Sequence, residues 1–142
     1  GLADRLKMLE CIVSSRPRLS LALSTGGLFL DIAGECRRAY GAGVDLAVVC
    51  GRDAAERVLN WDYGRPDAVQ EMLGEFSLLV ASRGGAFQPP AGTESRVTAL
   101  NIAGQFEDIS ASLIRNKILS GEPWEHLVPP EIVPLVRRVY VR

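Results

Sequence analysis

The spacing of apolar positions changes repeatedly along the chain, and each change marks an element. Leu6, Leu9, Ile12 and Val13 fall on one helical face, with Asp4 in the first turn where a carboxylate complements the helix dipole. The pattern predicts an amphipathic helix over 3–13, stopped by Arg16 and Pro17. The run 19–24 is apolar and strand-length, so it reads as a strand. After Thr25, Gly26 and Gly27 the helical period resumes through Leu28, Ile32, Cys36 and Tyr40 and closes at Gly41 and Gly43.

Residues 44–50 read Val-Asp-Leu-Ala-Val-Val-Cys, the near-continuous apolar run of a parallel strand in mid-sheet. Asp53-Ala-Ala-Glu56 has the spacing of a capping box, and Pro66 with Asp67 opens another short helix that ends near Gly74. A buried strand over 76–81 follows, then a loop over 84–95 rich in Gly, Pro and small residues, then a last strand over 97–102. Ile109, Leu113, Ile114 and Ile118 carry a helix over 110–120 that Gly121 stops, and a closing helix runs over 130–140 with Pro134 near its start. Strands alternating with helices imply parallel pairing through right-handed crossovers. The expected fold is therefore α/β, a doubly wound, Rossmann-like, mostly parallel sheet with helices on both faces, in a single domain spanning 1–142.

Composition narrows the function classes. At 142 residues and 47% hydrophobic content the chain can bury one core. Its net charge of −1, with acids and bases interspersed, shows no footprint for nucleic acid or an anionic membrane. Cys11, Cys36 and Cys50 make no Cys-x-x-Cys pair and sit in apolar runs, where buried thiols act as small hydrophobes. With no signal-like start and no long apolar span, the expected location is the cytoplasm. His126 is the single histidine, with no second ligand at metal spacing, so no protein-bound metal is expected.

In open α/β sheets ligands bind beyond the carboxyl ends of the strands, which singles out a few places. Gly51-Arg52-Asp53 directly follows a strand; the glycine admits a ligand and the carboxylate can accept from ribose hydroxyls, or else Asp53 is simply the N-cap of the next helix. Ser110 and Ser112 stand at a helix N-terminus with Arg115 three residues beyond Ser112, a phosphate-binding arrangement or else a serine cap beside a solvated arginine. Arg83, after the strand 76–81, could pair with a phosphate. Trp61 could stack on a heterocycle or pack on the core.

Taken in order, Gly51-Arg52-Asp53 with Trp61 beyond it, Arg83-Gly84, Ile109-Ser-Ala-Ser-Leu-Ile-Arg115 and Leu127-Val128-Pro129 ahead of the closing helix resemble the nucleotidylyltransferase superfamily. The likeness is nearest the nicotinamide and nicotinate mononucleotide adenylyltransferases. It implies AMP transfer from ATP to the mononucleotide with release of pyrophosphate and with Mg²⁺ bound alongside ATP. By resemblance Ser110, Ser112 and Arg115 hold the ATP phosphates, Gly51 and Asp53 the ribose, and Trp61 and Arg83 the mononucleotide. Ala111 stands where the family usually has serine and Ser112 where it has threonine. The family's opening strand and its histidine segment have no counterpart here, so the expectation is an N-terminally truncated version, incomplete as an enzyme. The alternative is an inactive nucleotide-binding module or structural remnant of that fold. A missing strand leaves a sheet edge to be covered, from which a homodimer or a chain rearrangement is expected. A dinucleotide-dependent oxidoreductase is disfavoured because no Gly-x-Gly-x-x-Gly follows a predicted strand.

Overall fold

The computed structural model describes residues 1–82, 86–101, 104–106 and 108–141. It is α/β, with a three-stranded parallel sheet and six α-helices among the described residues, the Rossmann-like architecture that the alternating pattern predicts. Two compact units divide the chain. One comprises Gly1–Leu23 with Asp108–Arg142, and the other Ser24–Glu107.

The sheet unit holds α2 (Phe29–Tyr40), β1 (Ala47–Gly51), α3 (Arg52–Leu59), α4 (Ala68–Glu75), β2 (Ser77–Ala81) and β3 (Val97–Leu100). Strand β2 lies centrally in the order β1-β2-β3, and the parallel register sets Val48 beside Leu78 and Leu78 beside Val97. Because side chains alternate across a strand, Leu78 and Val80 point to one face and are wholly buried. They join Ala55 and Leu59 of α3, Met72 and Leu73 of α4, Ala33 of α2, and Phe76 in one core cluster. Phe29 meets Phe76 edge to face with ring centroids 6.3 Å apart, which anchors the start of α2 to the start of β2. Val49, on the opposite face of β1, is 63% exposed.

The end of α4 is set by side chains and not by a turn residue. Arg96 donates from Nε to the Leu73 carbonyl at 2.6 Å and from its guanidinium to the Gly74 carbonyl at 3.1 Å. Arg37 reaches the Glu75 carbonyl at 2.6 Å. Between them the two arginines satisfy the last carbonyls of α4, which would otherwise lack donor partners as the chain turns directly into β2. That is why α4 continues through Gly74 to Glu75 rather than ending at the glycine.

The helical unit holds α1 (Leu2–Ser14), α5 (Ala111–Ser120) and α6 (Val133–Tyr140), with single 3-10 turns at Glu125–Leu127 and Pro130–Ile132. Trp124, Ile132 and Val136 are its buried centre, and Met8, Ile12, Ile114 and Ile118 pack around them. Ser110 caps α5 by accepting from the Leu113 N–H at 3.1 Å, and Gly121 ends it in the left-handed conformation at φ 72°. Pro134 falls in the first turn of α6, where its missing N–H costs no helical bond.

Several expectations need correction. Residues 19–24 form no strand; Leu19 and Leu23 are 50% and 73% exposed, so the apolar run lacks the burial and pairing that make such a sequence a strand. The strand predicted over 44–50 starts later, at Ala47, and lies at an edge of the described sheet, not in its middle, while the one predicted over 97–102 is seen as Val97–Leu100, its predicted end at 102 lying outside the described residues. Asp53 is not the N-cap of α3, because Gly51 holds that place and no side chain caps it. Glu56 instead accepts from Arg52 Nε at 2.6 Å, which removes it from any capping box. Cys11 is exposed, whereas Cys36 and Cys50 are half-buried, and all three thiols are free. Burial pushes the Cys50 thiol up, which favours a packing thiol over a nucleophile.

Candidate functional site

The carboxyl end of β1 passes into α3 without an intervening turn, so Gly51 is both the last residue of the strand and the cap of the helix. Its φ of −76° suits any residue. A Cβ built there would meet nothing within 4 Å, so the surrounding chain imposes no need for glycine. Asp53, exposed in the first turn of α3, puts a carboxylate at the positive end of the helix dipole. Between them Arg52 is held to Glu56, and the Glu56 carboxylate keeps the guanidinium firmly charged. Arg52, Glu56, Asn60, Phe87 and Gln88 line a cavity of about 410 Å³ beside α3. The sequence reading missed that cavity; the signal present was the Arg52–Glu56 spacing of four on one helical face.

At the other candidate place, in the helical unit, the structure brings two of the three predicted residues into contact. Arg115 donates to the Ser112 hydroxyl at 3.0 Å, and both are exposed. Residues three apart share a helical face, so the cation lies over the first turn of α5, where backbone N–H groups lack helical acceptors. Ser110 is committed differently. Its hydroxyl already accepts the Leu113 N–H, and its carbonyl accepts from Ile114 N at 3.1 Å. The arginine contact and the serine cap thus use different serines. Chemically, this turn offers a cation, a hydroxyl and N–H donors to an anion.

Trp61 is 62% exposed on the loop between α3 and α4, so the core-packing alternative for it does not hold. Gly51, Asp53 and Trp61 belong to the sheet unit, and Ser110, Ser112 and Arg115 to the helical unit. Arg83 lies outside the described residues. His126 is exposed in a 3-10 turn. Among the described residues no group of three His, Cys, Asp or Glu side chains gathers as a metal site, and no helix is long and apolar enough to cross a membrane.

No protein-family model matches the chain. Over 31 residues it is 52% identical to a nicotinamide-nucleotide adenylyltransferase of Methanoculleus marisnigri, a stretch that covers 22% of this chain and 18% of that protein. The matched stretch therefore spans under a fifth of the relative's length. A similarity so short suggests a nucleotidyltransferase-like kinship and reaches no further.

Proposed function

We propose that this chain is a nucleotidyltransferase-like protein that binds MgATP and a pyridine mononucleotide, in the reaction that transfers AMP to the mononucleotide and releases pyrophosphate. The observation that carries the reading is the contact of Arg115 with Ser112 over the first turn of α5. In this reading Ser112, Arg115 and the α5 N-terminal N–H groups take the ATP phosphates, with Ser110 shaping that turn as its cap. Gly51 and Asp53 take the ribose, and Trp61 and Arg83 the mononucleotide. Mg²⁺ enters as part of the nucleotide substrate. Such a transfer needs in-line positioning and neutralisation of charge as pyrophosphate leaves, and an arginine beside a helix N-terminus supplies charge of the right sign.

The test is pyrophosphate release from MgATP with nicotinamide or nicotinate mononucleotide, run beside an ATP-binding titration, on the parent chain and on Arg115→Ala. The expected result is release that falls by about a hundredfold or more in Arg115→Ala. ATP binding that Arg115→Ala weakens, without release from either protein, would make the chain a nucleotide-binding module. Absence of ATP binding from the parent would sink both readings.

A further inference from the structure

The loop over 60–67 joins α3 to α4 and carries Trp61, whose indole stands 62% exposed. A large ring left in water forgoes the free energy of burial, and a connecting loop is ordinarily among the least ordered parts of a unit. This loop is nevertheless tied to both helices that it joins. The Tyr63 hydroxyl donates to the Val58 carbonyl of α3 at 3.0 Å, and Asn60 Nδ2 donates to the Glu56 carbonyl of α3 at 2.8 Å. On the other side Arg65 donates through both terminal nitrogens to the two Glu71 oxygens of α4, at 2.6 and 3.4 Å. Within the loop, Gly64 N donates to Asp62 Oδ1 at 2.8 Å, and Gly64 takes the left-handed conformation at φ 69° that makes the tight reversal possible. Tyr63, Arg65 and Glu71 also edge a cavity of about 520 Å³ floored by Phe29, Val58 and Met72. These anchors flank Trp61, while the indole itself is left in solvent.

We infer that Tyr63 and the Arg65–Glu71 pair are positioning residues that strap the loop to α3 and α4 so that the Trp61 indole is presented as a fixed stacking platform. The inference rests on the assignment of Trp61 to the mononucleotide made above. The physical gain is pre-organisation. A ring already fixed in place loses less conformational freedom when a planar heterocycle stacks on it, so affinity rises without any new contact to the ligand. A bidentate arginine pair suits this role because its planar fork fixes an orientation as well as a distance. Since both Arg65 and Glu71 are more than half exposed, breaking that pair alone has a modest effect, and removing the Tyr63 anchor as well adds to it.

The test labels the two tryptophans with fluorotryptophan and follows both fluorine resonances by NMR, using Trp61→Phe to assign them. Glu71→Gln and Glu71→Gln with Tyr63→Phe are expected to move the Trp61 line toward that of the free amino acid. The line of buried Trp124 should stay in place, which reports that the helical unit is folded, and the β2 amides should keep their slow hydrogen exchange, which reports the same of the sheet unit. The charge exchange Arg65→Glu with Glu71→Arg should restore the Trp61 line. Titrated with nicotinamide mononucleotide, the Glu71→Gln chain is expected to bind about two- to fivefold more weakly than the parent, and the exchange variant to recover. A ligand-free Trp61 line that ignores both variants overturns the strap. A parent line that ignores the mononucleotide overturns instead the assignment of Trp61 to that ligand, and with it the platform's purpose.

Discussion

At the scale of single residues, Gly51 separates what the fold needs from what a ligand needs. Two other glycines carry structural duties: a Cβ at Gly26 would run into the Asp31 side chain, whose carboxylate accepts from Leu28 N at 3.3 Å at the start of α2. Gly121 sits at a φ that other residues resist. Gly51 has neither constraint. Gly51→Ala is therefore expected to change stability by no more than about 0.5 kcal/mol, since the narrowed unfolded ensemble is offset by alanine's poorer fit at the N-cap of α3. In the proposed reading the same methyl obstructs the ribose, so ATP affinity should fall about tenfold or more, a loss worth about 1.4 kcal/mol. Thermal melts and an ATP titration on one preparation check both halves. A folded variant that binds ATP as the parent does would remove Gly51 from the site.

At the scale of elements, the order of strands and helices was legible because burial on a parallel sheet leaves the clearest trace in a sequence, as in Val48 and Cys50 or Leu78 and Val80. The α5 boundaries were legible for a second reason, since Ser110 and Gly121 carry cap chemistry that acts locally. What stayed hidden depends on partners distant in sequence. The end of α4 is decided by Arg96 and Arg37, more than twenty residues away on either side, and no local signal announces them. Arg96→Ala is expected to cost about 1–3 kcal/mol by stranding the Leu73 and Gly74 carbonyls, measurable by chemical denaturation. Residues 19–24 show the opposite failure, in which an apolar run promises a strand and finds no ladder. The site was legible in part. The spacing of Ser112 and Arg115 put them on one helical face, where they touch, whereas the Arg65–Glu71 strap, six residues apart across a loop, matches no helical or strand spacing.

The turn ahead of α2 adds a pH dependence at this same scale. Hydroxyls of Ser24 and Thr25 hold the Glu35 carboxyl down to about 2 from its ordinary 4.5, with Thr25 Oγ1 at 2.7 Å and the Thr25 N–H at 3.2 Å. The sign follows from the folded value lying below the unfolded one. The contact contributes in full above about 4.5 and is lost as pH falls from there toward 2. Glu35 is exposed to solvent screening, so the local effect on the turn should exceed any change in global stability. The Thr25 amide resonance, followed in an acid titration, should report a midpoint near 2. A midpoint near 4.5 would mean that the hydroxyl contacts do not form in solution.

At the scale of the whole molecule, buried surface is unevenly distributed, and that asymmetry bears on function. Among the described residues the sheet unit's core includes Phe76, Leu78 and Val80, all at 0% exposure, whereas the helical unit centres on Trp124, Ile132 and Val136. Helix α5 has no buried residue, and Leu119 within it is 84% exposed. Local opening is cheapest where few apolar contacts resist it, so hydrogen exchange is expected to be slowest at the β2 amides and markedly faster along α5. The element offered here as the phosphate cradle is thus one with little packing of its own to hold it closed. A ligand that binds only the closed helix slows exchange by a factor of one plus its concentration over the dissociation constant. At a hundred times the dissociation constant the stabilisation is about 2.7 kcal/mol, or roughly a hundredfold in exchange rate. Saturating MgATP should therefore slow the α5 amides by up to that factor, and Arg115→Ala should abolish the effect. If nucleotide binds and leaves the α5 amides exchanging as before, the phosphates are held elsewhere and the cradle is wrong even though the protein binds ATP.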